Sequence, residues 1–331
     1  MMKNTASITV LVLLLGSSLA VLSTPAAAAG TNATTTLAPV STTTSVSCTS
    51  SSATLFSALK CTASVTGAFP KGKVTWSDGG AGKLSRTTCV LFLGSCSIEF
   101  RPTSAVSPIT ITASYAGDSH NAPSSGSFSV TVSLKGSETR VSCWPNQVLA
   151  GSTKVISCVG WVSGHRPTGT LTWTQTGGTG SISFASTTCT LAARHCSVKA
   201  NVGATGTVTV QAAYSGDANN TASSGTASLT IRAKTSLANV CSATSVATGS
   251  SITCTATLAG FSGSVSGETI AWYQVGGPGS ATFSTSCTLS AGGSCSITVT
   301  GAAKGGVGIG AFYLGDAANG RSSGFAHIVV T

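Results

Sequence analysis

The chain has 331 residues, of which only 17 are Lys or Arg and seven are Asp or Glu, giving a net charge of +10. Seven carboxylates spread over such a length do not readily supply the paired acids of glycoside hydrolysis, and a regular supply of β-branched residues argues against disorder. The basic excess would favour acidic partners such as anionic wall polymers or nucleic acid, but the basic residues are scattered along the sequence without a run or stripe, so nucleic acid is not an expected partner.

Residues 1–29 read as a signal peptide. Lys3 supplies the positive start, Ile8 to Leu22 a mostly apolar stretch, and Pro25 with Ala26 to Ala29 a small-residue cleavage site near Ala28 or Ala29. The apolar stretch is short and interrupted by Gly16, Ser17 and Ser18, so no stable membrane span is expected in the mature chain. The chain closes on the strand-like Ala326-His327-Ile328-Val329-Val330 with no apolar tail, so export without an anchor is expected. Residues 30–41 form a Thr-rich linker.

From Cys48 onward one cysteine pattern occurs three times: Cys48, Cys61, Cys89 and Cys96; Cys143, Cys158, Cys189 and Cys196; Cys241, Cys254, Cys287 and Cys295. Three copies of one disulfide-stapled module follow, with expected boundaries at 42–134, 139–231 and 237–331. An even set of twelve cysteines in an exported chain reads as six disulfides. Zinc is disfavoured because the closest cysteines stand seven or eight positions apart, wider than zinc-site pairs. No metal or other cofactor is expected.

Within each copy, strict apolar/polar alternation marks half-buried strands. The strand after the second cysteine carries Ala63 and Val65, matched in the third copy by Ala256 and Leu258. The next carries Val74 and Trp76, Leu171 and Trp173, or Ile270 and Trp272. Ile98 and Phe100, Val198 and Ala200, and Ile297 and Val299 follow the fourth cysteine. The penultimate strands end on Tyr115, Tyr214 and Tyr313, and the last carry Val130 and Val132, Leu229 and Ile231, and Ile328 and Val330. Adding strands at the first and third cysteines gives about seven per copy, so the fold class is all-β: three tandem immunoglobulin-like β-sandwiches after the signal peptide. Tyrosine holds the position where antibody domains place an intersheet cysteine, so the four cysteines must pair in another way.

Two motifs carry a resemblance. One is a Gly before the Trp strand, in Pro70-Lys71-Gly72, Pro167-Thr168-Gly169 and Val265-Ser266-Gly267. The other is Tyr-x-Gly-Asp followed by Ser-Ser-Gly, at Tyr115 to Gly126, Tyr214 to Gly225 and Tyr313 to Gly324. In these the chain resembles the bacterial and archaeal immunoglobulin-like repeat domains, close to group 3, in a four-cysteine form. The resemblance implies a stalk, spacer or binding module of a surface protein and leaves the ligand open.

Four cysteines allow three pairings. Short spacing lets Cys48 face Cys61 and Cys89 face Cys96 across hairpins, which favours first-to-second and third-to-fourth pairing in each copy.

No catalytic constellation is found, and the protein is not expected to be an enzyme. Asp118, Asp217 and Asp316 recur singly after a Gly and are expected to cap their own turns. The four histidines occupy non-equivalent positions. With so few carboxylates, stability is expected to be nearly flat from about pH 7 to about pH 3.

The second copy alone has Trp144 and Trp161. If Cys143 faces Cys158, antiparallel register sets Arg140 opposite Trp161 and turns Arg140, Trp144 and Trp161 away from the core, where they either pack under the linker from the first copy or form a candidate binding patch. The first functional expectation is a secreted or cell-surface structural spacer. The alternatives are an adhesin using that patch, with cell-surface polysaccharide or surface proteins as partners, and a filament subunit exchanging a strand through Gly30 to Thr44.

Overall fold

The computed structural model of the chain describes residues 38–331. The expected signal peptide and most of the Thr-rich linker lie outside the described residues. Val40–Thr331 folds as three β-sandwiches, each with its own buried core.

The first sandwich comprises β1 (Thr43–Cys48), β2 (Ser52–Thr54), β3 (Leu59–Thr66), β4 (Lys73–Ser77), β5 (Gly82–Leu84), β6 (Thr88–Val90), β7 (Ser95–Pro102), β8 (Ile109–Tyr115) and β9 (Ser124–Ser133). One sheet has the order β1-β3-β7-β5 and the other β2-β9-β8-β4-β6. Neighbours are antiparallel except β2, which runs parallel to β9. The other two sandwiches repeat this plan. Nine strands replace the expected seven. β2 and β5 are too short to show a period and were invisible in the pattern.

Alternation places one face of each strand in the core. In β3, Leu59, Cys61, Ala63 and Val65 are buried, with partly or fully exposed residues between them. Trp76, Trp173 and Trp272 are buried at the centre of their sandwiches, beside Tyr115, Tyr214 and Tyr313. The outward faces are held by hydroxyl pairs across strands, such as Thr62 with Ser97 at 2.9 Å and Thr255 with Ser296 at 2.8 Å. These neutral pairs do on the surface what ion pairs would do in a more charged chain. Arg140–Glu138 is the one ion pair among the described residues.

The cysteines are bonded first to second and third to fourth in every sandwich. Cys48 and Cys61 stand directly opposite each other in the β1–β3 ladder, with Cα atoms 4.0 Å apart. Cys89 and Cys96 do not span a hairpin of one sheet. Cys89 is on β6 and Cys96 on β7, so this bond joins the two sheets. The chain passes from the second sheet at β4 to the first at β5, back at β6, and across again at β7. An intersheet staple is therefore present, but at a different place from that of antibody domains.

The Ser-Ser-Gly motif has a steric cause. A Cβ on Gly126 or Gly225 would strike the carbonyl oxygen of Thr44 or Thr139, and one on Gly324 would lie 2.5 Å from the carbonyl oxygen of Leu237. Glycine lets β9 and its equivalents pass close over the first strand of the opposite sheet. That first strand is itself in place: Thr43 and Thr44 pair with Thr66 and Val65 of their own sandwich, so this part of the segment considered for strand exchange is occupied.

Candidate functional site

Two groups of residues stand out: a clasp present in all three sandwiches, and an outward face found only in the second. The clasp begins with the loop after the penultimate strand. Gly117, Gly216 and Gly315 have φ between +82° and +85°, a conformation glycine adopts without strain. The turn this makes lets Asp118 Oδ1 accept the N–H groups of His120 and Asn121 at 2.8 and 3.0 Å. Asp217 and Asp316 cap their turns in the same way. Lys71 N–H donates to the other oxygen of Asp118, as does the hydroxyl of Tyr115 at 2.9 Å.

These donors hold the Asp118 carboxyl far below the usual range, the Lys71 and His120 N–H groups first. For Asp217, burial pushes the carboxyl up, but the N–H donors of Thr168 and Asn219, with Tyr214 and Asn220 beside them, outweigh it and hold it low. Tyr115 is pushed up to about 12, chiefly by burial and then by Asp118. Tyr313 bonds Asp316 at 2.8 Å. Tyr214 lies beside Asp217 without hydrogen-bond geometry; there the Thr168 N–H and hydroxyl both donate to Asp217 Oδ2.

The third member was not singled out in the sequence. Asn121, Asn220 and Asn319 stand three residues after the aspartates and are buried. Asn220 Oδ1 accepts the N–H of His165 at 2.7 Å, while its Nδ2 donates to the His165 carbonyl and to Asp217. The same loop grips the residue that enters the sandwich. Lys135 N–H donates to Asn219 O at 2.8 Å and its carbonyl accepts Thr221 N–H at 2.9 Å. Ala233 makes the equivalent pair with Ala318 and Gly320. These aspartates thus serve structure. Among the described residues no group of three or more His, Cys, Asp or Glu side chains could hold a metal ion.

The second group lies on the sheet formed by strands Glu138–Trp144, Ile156–Ser163, His195–Val202 and Ile182–Phe184. Its register pairs Arg140 with Trp161, Trp144 with Ser157, and Trp161 with His195. Trp161 is 45% exposed and Trp144 78%. Arg140 and His195 are exposed on either side of Trp161. Arg140 also reaches Glu138, two residues back on the same face, at 3.0 Å. The two indoles are offset by four residues along the ladder, roughly 13 Å, and form two separate contact points on one face. At the positions of Arg140, Trp161 and His195 the first sandwich has Ser45, Ser64 and Ser95, and the third has Ala238, Thr257 and Ser294.

The first sandwich carries a different exposed group, also missed in the sequence. Phe69, Phe92 and Leu93 are 90%, 77% and 91% exposed around a cleft at the end of the sandwich. In the second sandwich this end meets the first, where His165 stacks on Phe56 with ring centroids 3.8 Å apart.

No helix among the described residues is long and apolar enough to cross a membrane. No protein-family model matches the chain, and no curated protein matches it either. Among solved structures, the chain is similar to the Escherichia coli adhesin FdeC, with 13% identity over 89% of this chain and 99% of that one at a TM-score of 0.37. It is also similar to invasin, a bacterial integrin-binding protein, with 14% identity over 87% of this chain and 60% of that one at a TM-score of 0.45. The I67–I69 fragment of the titin I-band is similar at 13% identity over 85% of this chain and 94% of that one, with a TM-score of 0.34. Proteins of such different roles share this likeness, so it carries no functional conclusion.

Proposed function

We propose that the chain is an extracellular, non-catalytic binding protein of the adhesin type, whose second sandwich contacts a glycan through Trp161 and Trp144. The observation that supports this most is the substitution of small residues by Arg140, Trp161 and His195 in one copy of a repeated sheet. The fold does not need an aromatic there, because its two sister copies use Ser, Ala and Thr. Leaving two indoles in water is unfavourable unless something covers them. Indole faces beside cationic and hydroxyl groups suit a sugar ring, which has an apolar face and a polar rim. Six disulfides fit an oxidising compartment outside the cytoplasm.

A glycan array probed with the wild-type protein and with the Trp144→Ala/Trp161→Ala double variant tests this. The wild type is expected to bind a defined subset, and the double variant to lose about tenfold in affinity. Equal binding by the two proteins overturns the reading.

A spacer role is the second reading, favoured by the backbone grip of each clasp loop on Lys135 and Ala233. Each junction is tied by paired hydrogen bonds, which suits a chain that transmits tension. The two roles are compatible in one molecule.

A further inference from the structure

We propose that the junction of the second and third sandwiches is a binding site for an acidic oligosaccharide, separate from the Trp144/Trp161 face. A cleft of about 740 Å³ lies there, bounded by the segment 147–152, Leu314 and Gly320. Four cationic residues line it: Lys154 and Arg232 from the second sandwich, Lys234 from the connection, and Arg321 from the third. No carboxylate lines it. Among the described residues none of the four is within ion-pair distance of an acidic group. Arg232 Nε is buried without a hydrogen-bond partner. Bringing four like charges together without compensation is unfavourable, and an anionic occupant would offset it.

The junction does not require this composition. The first and second sandwiches are joined by the same backbone grip, yet the positions of Leu314 and Arg321 are held there by Ser215 and Ala222, and the position of Lys234 by Gly136. At that junction Phe56 stacks on His165. The basic cleft is therefore particular to one junction.

Its chemistry selects among anions. The volume lies in the range of small-ligand pockets and accepts a few linked rings. Leu149 and Leu314, both exposed, offer apolar surface to a carbon skeleton between the charges. No aromatic side chain lines the cleft, so single-stranded nucleic acid would find no stacking platform. A short glycan bearing carboxylate or sulfate groups fits both the charge and the surface.

The test is titration of the full chain with tetragalacturonate, a heparin tetrasaccharide, neutral maltotetraose and oligothymidylate of matched charge, at low and physiological salt. At least one acidic tetrasaccharide is expected to bind, more weakly at higher salt, and the two acidic probes distinguish carboxylate from sulfate recognition. Leu314→Ser with Arg321→Ala, which installs the residues of the second sandwich, is expected to weaken binding by about tenfold or more. Lys83→Gln, a charge removed far from the junction, is expected to leave it unchanged. The proposal is overturned if neither acidic probe binds, if the junction variant binds as tightly as the wild type, if Lys83→Gln weakens binding as much as the junction variant, or if oligothymidylate binds more tightly than both glycans.

Discussion

Trp76 Nε1–H points at Cys89 Sγ from 3.0 Å, so the core indole of the first sandwich sits directly against the disulfide that joins its two sheets. The same contact recurs as Trp173 with Cys189 at 3.2 Å and Trp272 with Cys287 at 3.1 Å. The register explains it: Val74, two residues before Trp76, pairs with Cys89 across β4 and β6. Sulfur is a weak acceptor, but it satisfies an N–H that burial would otherwise leave bare. Indole and intersheet staple therefore form one unit at the centre of each sandwich.

Trp173→Ala should cost about 3–5 kcal/mol, because it empties the largest core position and strips the cover from Cys189. Trp144→Ala, at a position 78% exposed, should change stability by no more than about 0.5 kcal/mol. Chemical denaturation of both variants checks the contrast; similar losses would mean that the outward indole is structural.

Gly160 and Leu171 should be coupled. Gly160 takes the place of Ala63 and Ala256, and a Cβ there would collide with Leu171 Cδ1. The partner positions carry the smaller Val74 and the differently branched Ile270. Gly160→Ala should cost about 1–3 kcal/mol by overpacking. Adding Leu171→Val, which recreates the Ala63/Val74 pair, should recover at least about 0.5 kcal/mol in a double-mutant cycle. Simple additivity would show that the collision relaxes elsewhere.

Asn220→Ala should be far more harmful than its loop position suggests. It removes three hydrogen bonds and leaves the half-buried His165 N–H and carbonyl without partners. A loss of about 2–4 kcal/mol is expected. Hydrogen exchange should show the Lys135 and Thr221 amides opening with it, since that loop grips the incoming chain.

Acid should destabilise the protein, in contrast to the flat profile expected from composition. The three loop carboxyls are held below their unfolded value, so they stabilise the fold fully above an unfolded pKa of about 3.9. That stabilisation is lost as pH falls from there through the folded value. Tm should be steady from about pH 7 to about pH 5 and decline below about pH 4. Asp118→Asn with Asp217→Asn and Asp316→Asn should lower Tm at neutral pH and flatten the acid limb. At the alkaline end Tyr115 and Tyr214 are both pushed up to about 12, so their contribution holds below the unfolded value of 10 and is lost as pH rises toward 12. Thermal melts across the range test both limbs.

The all-β class, the three copies, the buried tryptophans and tyrosines, and the pairing of Arg140 with Trp161 are legible in the sequence. Each rests on a period of two residues or on a short spacing between neighbouring strands, and such local geometry survives without knowledge of the fold. The short strands β2 and β5, the intersheet position of Cys89–Cys96 and the burial of Asn121, Asn220 and Asn319 are not. They depend on which sheet a segment joins, and that is decided by contacts between residues far apart in the chain. Lys154, Arg232, Lys234 and Arg321 make the same point most plainly. Along the sequence they are scattered charges with no run to mark them. Only the docking of two sandwiches through the grip on Ala233 brings them around one cleft, because charge adds in space and not in sequence.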